Sequence, residues 1–375
     1  MAVRALARVN VAAIERNVAR LAAAAPGAAM CAVVKADGYG HGMVPVARAA
    51  LRGGATRLAV ATALEARALR AGGIEDVPVL VLGALSDEEL PIALAAGAEV
   101  TVWTRAQVDR LLATGRKVRV HVKLDSGMGR LGNRDAAEAT AVADAVAQAD
   151  SLELAGLWTH FATADDRSDP FFAEQLERFR AWAEPLRERH PGALVHCANS
   201  AAVLREPASH FDMVRCGVAI YGLDPFGGDP ADSGLEPAME LTSYVAAVKA
   251  CRPGESTGYG RRFVAERDTL LATVPIGYGD GYRRGLTNRS QALIDGRRVP
   301  LVGTVSMDNI TFDVGAVGVE PAVGDEVVLI GARDGERITA EELARHLDTI
   351  NYEVTCGISA RVPRLHHRDG ERVEP

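Results

Sequence analysis

A lysine closes an apolar run at Val33-Val34-Lys35, and Ala36-Asp37-Gly38-Tyr39-Gly40-His41-Gly42 follows it. An ammonium at the end of a buried strand is desolvated, so its neutral, nucleophilic form becomes accessible, and such an amine can form a Schiff base with a carbonyl. A lysine there can equally snorkel to solvent with no chemical role. Four further places carry polar groups at the end of apolar runs. Lys123-Leu124-Asp125 leads into Gly127-Met128-Gly129-Arg130-Leu131-Gly132, and a later run ends in Trp158-Thr159-His160. Another ends in His196-Cys197-Ala198-Asn199-Ser200, and the next in Arg215-Cys216-Gly217-Val218. Asn199 or Ser200 can cap the following helix, or that helix start can receive a phosphate. Gly217 would let backbone N–H groups approach an anion. The glycines at 127, 129 and 132 match a dinucleotide fingerprint in spacing alone, because no acidic residue ends the next strand as that fold requires. Tyrosines stand in glycine-rich settings at Gly258-Tyr259-Gly260, Gly277-Tyr278-Gly279-Asp280-Gly281-Tyr282 and Asn351-Tyr352-Glu353, where packing across a β corner is the plain alternative.

The elements that must position these groups follow from the pattern. Eight short, nearly all-apolar runs read as strands covered on both faces: Ala29–Val34, Arg57–Val60, Val79–Leu82, Glu99–Val102, Val118–Leu124, Leu154–Trp158, Leu194–Cys197 and Asp212–Arg215. Thr62-x-x-Glu65, Ser86-x-x-Glu89 and Thr104-x-x-Gln107 are capping boxes for helices between them. Gly53–Gly54, Gly72–Gly73, Gly97 and Gly115 stand where helices end. Eight β-α repeats point to a (β/α)8 barrel of the TIM type over residues 1–230, with a doubly wound sheet as the alternative. In a barrel, functional groups gather at the C-terminal ends of the strands, where the residues above fall. Past a Gly/Asp/Pro stretch read as a linker (Gly227–Pro237), residues 231–375 form a mainly-β domain. Its expected strands are Met239–Cys251, Thr269–Ile276, Gln291–Ile294, Val299–Val305, Ile310–Val314, Val327–Ile330 and Glu353–Val362. Asp295–Gly296 makes a hairpin turn, and Thr339–Leu347 a helix.

Composition narrows the function classes. The chain has 375 residues, 48% of them hydrophobic, and a formal net charge of −7, which argues against nucleic acid as the main partner. The five cysteines form no Cys-x-x-Cys pair, so neither a disulfide framework nor a zinc cluster is expected, and His366–His367 reads as a solvated pair. The uncharged stretch Leu21–Val34 follows Glu15, Arg16 and Arg20 in helical register with Val11, Ile14 and Val18, and Pro26–Gly27 breaks it. That is a helix, a turn and a strand rather than a signal peptide or membrane span, and a cytoplasmic protein is expected.

The run Val34-Lys35-Ala36-Asp37-Gly38-Tyr39-Gly40-His41-Gly42 resembles the cofactor-lysine motif of the alanine racemases, pyridoxal 5′-phosphate enzymes of the barrel fold type. Lys123-Leu124-Asp125-Ser126-Gly127-Met128-Gly129-Arg130, Asn199-Ser200, Arg215-Cys216-Gly217, Tyr259-Gly260, Gly277-Tyr278-Gly279-Asp280-Gly281, Ser306-Met307-Asp308 and Asn351-Tyr352-Glu353-Val354 resemble further family motifs, in the family's order across the whole chain. The resemblance implies that Lys35 carries the cofactor. It implies that Tyr39, Asn199, Ser200, the backbone of Gly217 and Val218, and Tyr352 help bind it, and that Arg215 faces the pyridine nitrogen with His160 behind it. Lys35 and Tyr259 become the two bases, the tyrosine reaching in from the other subunit of a homodimer. Arg130 and the Met307 backbone anchor the substrate carboxylate, Tyr278 and Tyr352 narrow the entry, and Lys123 matches a position often carbamylated. Gly279, Asn309 and Ser306 stand where alanine, glutamine and, in some members, cysteine occur.

The implied activity is interconversion of L- and D-alanine, supplying D-alanine for peptidoglycan. The competing functions are a serine or broader-specificity racemase, a decarboxylase on the same fold, a non-catalytic pyridoxal-phosphate binder, and a nicotinamide oxidoreductase resting on the three glycines alone.

Overall fold

A computed structural model of the chain describes residues 3–373. It opens with a strand that the hydrophobic pattern did not announce, β1 (Leu6–Asn10), in which only Ala7 and Val9 face the interior. The amphipathic helix α1 (Val11–Ala24) follows, burying Val11, Ile14, Val18 and Leu21.

Eight parallel strands come next: β2 (Ala29–Val33), β3 (Arg57–Val60), β4 (Val79–Val81), β5 (Glu99–Val102), β6 (Val118–Lys123), β7 (Leu152–Trp158), β8 (Leu194–His196) and β9 (Met213–Cys216). Each pairs with its successor from β2 to β8, and β9 returns to pair with β2. The seam between β8 and β9 is bridged by Asp212 N–H to Val195 O at 3.0 Å and Arg215 N–H to Ala198 O at 2.9 Å. The sheet is thus a nearly closed (β/α)8 barrel, with the eight expected strands displaced by no more than two residues at either end. Burial on both faces explains their legibility, because every strand side chain must be apolar unless it has a partner.

The connecting helices are α2 (Met43–Arg52), α3 (Ala63–Ala71), α4 (Glu89–Ala95), α5 (Arg105–Ala113), α6 (Ala136–Ala147), α7 (Phe171–Arg189) and α8 (Ser200–Arg205). The boxes at Thr62/Glu65 and Thr104/Gln107 form with both arms, and Ser86 and Glu89 exchange the same pair of bonds. Asn199 caps α8 by accepting from Ala202 N–H at 3.0 Å.

Two compact units divide the chain. One holds Ile14–Gly38 and Met43–Ile220, which includes the barrel strands. The other gathers the segment ending at Ala13, the short Tyr39–Gly42 stretch and everything from Tyr221 onward. In this mainly-β unit β10 (Met239–Tyr244) lies between β1 and β18 (Glu326–Arg333) in an eight-stranded sheet. The sheet continues through β15 (Gln291–Ile294) and β16 (Arg297–Pro300) at one side and β20 (Arg364–Arg368) and β21 (Glu371–Arg372) at the other, and β19 (Glu336–Ile338) pairs with β18. A three-stranded sheet joins β11 (Ala247–Cys251), β14 (Thr269–Val274) and β17 (Ile310–Asp313), and β12 (Ser256–Thr257) pairs with β13 (Phe263–Val264). Asp295 and Gly296, with φ of 50° and 65°, make the tight turn between β15 and β16.

Several expectations need correction in this unit. The run Met239–Cys251 is two strands rather than one, and Val299–Val305 leaves its strand after Pro300. Glu353–Val362 is not a strand: helix α10 (Asn351–Cys356) occupies its start, after helix α9 (Ala340–Leu347). Val354, Thr355 and Cys356 have strand-like propensity, but Asn351 Nδ2 donates to Asp224 O and Glu341 Oε1, both at 2.8 Å, and this fixes the helix entry. Gly227–Pro237 is folded around the Asp224 carboxylate, which accepts from Gly228 N–H at 2.7 Å and Ser233 Oγ at 2.8 Å. His366 lies in β20 and its Nε2 donates to His41 O at 2.8 Å, so the histidine pair is built into a sheet.

Candidate active site

Lys35 follows β2 at its C-terminal end and is half-buried. The chain then makes a left-handed turn: φ is 53° at Ala36, 51° at Asp37, 61° at Gly38 and 51° at Tyr39. Each left-handed residue other than glycine costs about 1–2 kcal/mol, so the turn persists only because its surroundings fix it. Ala36 N–H donates to Glu65 Oε1 at 2.7 Å, Met43 N–H to Asp37 Oδ1 at 2.8 Å, and Gly38 N–H to Val34 O at 2.9 Å. A Cβ on Gly38 would stand 3.2 Å from Val46 Cγ2.

Arg215, on β9, is 3% exposed. Its guanidinium donates to His196 Nδ1 and Thr159 O, each at 2.8 Å, to Cys197 O at 3.2 Å and to His160 Nδ1 at 3.3 Å. Burial draws its pKa down to about 10, which leaves it a cation at neutral pH. Desolvation, with Arg215, Lys123, Arg130 and Lys35 nearby, holds His160 well below the ordinary imidazole range, so that ring stays neutral.

Lys123 ends β6 and is 2% exposed, with Nζ 4.2 Å from the Trp158 ring centre. Desolvation, then the charges of Arg215 and Arg130, bring its pKa to about 7. A buried amine this weakly basic is partly neutral at physiological pH, which is the state that reacts with electrophiles. The glycine loop beyond it is not a phosphate cradle. Asp125 takes its N–H groups, accepting from Gly127 at 3.1 Å and Gly129 at 2.9 Å, with Arg134 Nε at 3.2 Å. The loop thereby presents Arg130 exposed at the strand end.

After β8, Ser200 is buried and its Oγ accepts from Gly217 N–H at 3.0 Å and Ala219 N–H at 3.3 Å. Asn199, already engaged as the α8 cap, and Val218 lie beside it in the chain. One hydroxyl and the N–H groups of one loop are therefore held together after strands β8 and β9, where barrels bind phosphate.

In the mainly-β unit, Tyr39 is buried with its ring 4.9 Å from Tyr221 and 6.0 Å from the half-buried Tyr352. Burial, with Tyr352 beside it, pushes the Tyr39 phenol far above its ordinary value. The corner-packing alternative holds only for Tyr282, which is buried with its hydroxyl 2.9 Å from Ser290 Oγ. Tyr259 is 74% exposed, Met307 52% and Tyr278 42%. These three stand on braced loops. Thr304 Oγ1 donates to Tyr259 O at 2.6 Å, Tyr278 N–H to Ser306 O at 3.0 Å, and Gly279 N–H to Met307 O at 2.9 Å. Arg4 and Arg361 each pair with both Asp280 and Asp308, locking the two loops together.

Reasoning along the sequence missed a buried polar group inside the barrel: Glu99 on β5, with His121 and His196, both fully buried. Trp158 also went unassigned, although its ring stacks on His196 at 5.7 Å and lies beneath both Lys123 and Arg215. The available signal was a charged residue opening an otherwise apolar parallel strand. Among the described residues no cluster of histidine, cysteine and carboxylate side chains is arranged to hold a metal.

Comparison with known proteins gives a consistent picture. Residues 9–225 match the family model "Alanine racemase, N-terminal domain", and residues 238–366 match "Alanine racemase, C-terminal domain". The chain is 44% identical over 374 residues to the alanine racemase of Frankia casuarinae, covering 97% of this chain and 96% of that one. It is 43% identical over 352 residues to that of Halalkalibacterium halodurans, covering 92% and 89%. The solved alanine racemase of Streptomyces coelicolor superimposes with a TM-score of 0.91 at 39% identity, covering 96% of this chain and 97% of that structure.

Proposed function

The chain belongs to the alanine racemase family, and on that premise we propose that it interconverts L- and D-alanine with pyridoxal 5′-phosphate as its cofactor. The family is pyridoxal-phosphate dependent, and the donor set here suits that group. Lys35 offers an amine to its aldehyde, and Ser200 with the Gly217–Val218 backbone offers donors to its phosphate. Arg215 offers a cation that hydrogen-bonds a ring nitrogen without giving up a proton. Tyr39, Tyr352 and Asn199 are the further residues assigned to holding it, and Arg130 the further cation near its ring. When bound, the cofactor supplies an electron sink that acidifies the hydrogen on the substrate α-carbon.

The protein's own groups then decide the outcome. Inversion needs a proton carrier on each face of that carbon. Lys35 serves one face and Tyr259 of the partner subunit the other. Arg130 and the Met307 backbone hold the substrate carboxylate, Tyr278 and Tyr352 limit side-chain size, and His160 steadies Arg215. Lys123 as a carbamate would turn a buried cation into an anion able to orient Arg130, and its low basicity supports that modification. The exposure of Tyr259, Met307 and Tyr278 supports a homodimer in which each mainly-β unit completes the other subunit's barrel. A cytoplasmic enzyme supplying D-alanine to peptidoglycan fits this reading, and no helix among the described residues is long and apolar enough to cross a membrane.

The observation that carries the proposal is the Arg215 guanidinium, buried and fixed by four acceptors. A cation in that role restrains the electron sink, favouring quick return of the proton over transamination. The test is proton NMR of cofactor-loaded protein with L-alanine in heavy water, paired with a chiral assay. Loss of the α-proton signal together with D-alanine is expected. Exchange without D-alanine would overturn the two-base assignment, and an inert loaded protein would overturn alanine as substrate.

A further inference from the structure

The interior of a (β/α)8 barrel is ordinarily packed with layers of branched apolar side chains. Here a polar file replaces part of that packing. Arg215 on β9 donates to His196 Nδ1 at 2.8 Å. His196 Nε2 stands 2.9 Å from His121 Nδ1, and His121 Nε2 stands 2.9 Å from Glu99 Oε2. Glu99 pairs with Arg57 at the start of β3, and its other oxygen is 2.7 Å from Arg119 Nε near the start of β6. Arg119 continues to Glu153 at 3.0 Å. His121 on β6 reaches His196 on β8 across β7, and Arg57 on β3 reaches Glu99 on β5 across β4. Contacts that skip a strand run through the barrel interior.

The direction of every link is fixed by chemistry. A guanidinium only donates, so His196 Nδ1 must accept and its proton sits on Nε2. That proton goes to His121 Nδ1, so His121 carries its own on Nε2 and gives it to a carboxylate, which only accepts. Each imidazole spends one nitrogen accepting and one donating, and both stay neutral. Burial moves both histidines in that direction.

Strand β7 makes room for the file. The β6–β7 register slips by one residue between Val120 and His121, which brings Gly156 opposite His121. A Cβ at 156 would collide with His121 Nδ1. The glycine is therefore required by the imidazole's place.

We propose that Glu99 and His121 are positioning residues for Arg215, acting through His196 in a one-way file of N–H donors that joins the C-terminal rim of the barrel to the N-terminal ends of its strands. The file holds the guanidinium plane and passes the attraction of the Glu99 carboxylate to it through two neutral rings. It is a strut rather than a proton wire, because neither ring has a vacant nitrogen. The file itself stands on the barrel geometry, and its effect on turnover rests on the proposed racemase function.

The first test is 15N NMR of histidine-labelled full-length protein at pH 7, without added cofactor. Two imidazoles protonated at Nε2 and bare at Nδ1 are expected. An imidazolium signal or the opposite tautomer for either ring would overturn the file whatever the enzyme's activity. The second test compares His121→Phe, which keeps the ring volume, with His121→Gln, which keeps one acceptor and one donor. His121→Phe is expected to lower kcat about tenfold with KM unchanged, the scale of losing an outer-shell partner. It should also raise the ratio of transamination to racemisation, and His121→Gln should restore most of both. A folded His121→Phe protein with unaltered kcat and side-product ratio would overturn the positioning role. Should His121→Phe fail to fold, Glu99→Gln takes its place with the same two readouts. Failure of the racemase reading is separately visible as absence of D-alanine from wild-type protein whose histidine tautomers are as expected.

Discussion

The barrel rim and the tyrosine-bearing loops of the mainly-β unit differ in how far each is finished within one chain. At the rim, Arg215 is 3% exposed and Lys123 2%, and the guanidinium already has its acceptors. The desolvation cost is met during folding, and the dipoles are in place before a ligand arrives. On the loops, the backbone is equally well braced but the side chains are not covered, with Tyr259 at 74% exposure. An exposed aromatic on a rigid loop is an offer to another surface. Under the proposed function, one half of the chemistry is complete within a chain, and the other is prepared by the chain and finished by a partner subunit.

The sharpest break in this contrast is expected at Lys35. Lys35→Ala should remove measurable turnover, a loss of about a thousandfold or more, together with the covalent cofactor link, read as loss of the cofactor's bound absorbance. Tyr259→Phe should cost about a hundred- to ten-thousandfold in racemisation, equally in both directions because the two enantiomers have the same free energy, while α-hydrogen exchange in heavy water should survive from one enantiomer only, as expected when one face loses its proton carrier. Equal residual exchange from both enantiomers would count against its one-sided role. Mixing the two inactive variants tests whether completion occurs between chains. Hybrid dimers should carry one intact site each, returning about a quarter of wild-type activity, whereas completion within a chain returns none.

Lys123 gives a pH test of the finished half. Its folded pKa of about 7 lies below the ordinary 10.5, so the unfolded chain binds more protons between those values. Stability should therefore rise with pH across that window, with the cost of burying the charge fully present below about pH 7. Lys123→Met should flatten the rise in denaturant titrations. With 13C-bicarbonate, wild-type protein should show a carbamate carbon signal that this variant lacks. The smallest effect is expected in the mainly-β unit, where Tyr282→Phe removes one buried hydrogen bond to Ser290 and should cost about 1 kcal/mol in urea unfolding with turnover unchanged.

The parts that could be read in advance are those with a local cause. The barrel strands are legible because burial on both faces forces short apolar runs, and the helix starts because Thr62, Ser86 and Thr104 bond within one turn. Lys35, Arg130 and Arg215 could be picked out as charges at strand ends. What escaped depends on distant partners. Strand β1 buries only Ala7 and Val9, too weak a pattern to stand out, and exists because β10 and β20 flank it. The strand expected at Glu353–Val362 gives way to helix α10 because the helix entry is fixed by Glu341, ten residues back, and by Asp224, far back in the chain. Glu99 stands out only as the first residue of an expected strand, since nothing nearby in sequence announces Arg57, Arg119 and His121 as its partners. The glycine loop matches a nucleotide fingerprint in spacing alone, and its N–H groups go instead to Asp125, a partner that the spacing does not announce.

The place of β1 bears on how the molecule is made. It pairs antiparallel with β10 and parallel with β20, yet β10 begins at Met239 and β20 at Arg364. At ribosomal speeds of about 5–20 residues per second, β1 leaves the exit tunnel some ten to fifty seconds before its first neighbour. Throughout that interval a strand with both edges unpaired is tethered to a barrel still being made, since the last barrel strand, β9, ends only at Cys216. The alternation that made β1 hard to recognise, with Arg8 and Asn10 on its outer face, also makes it a poor seed for association between nascent chains. Replacing Arg8 by valine should leave the finished fold in place and lower the yield of soluble protein during synthesis.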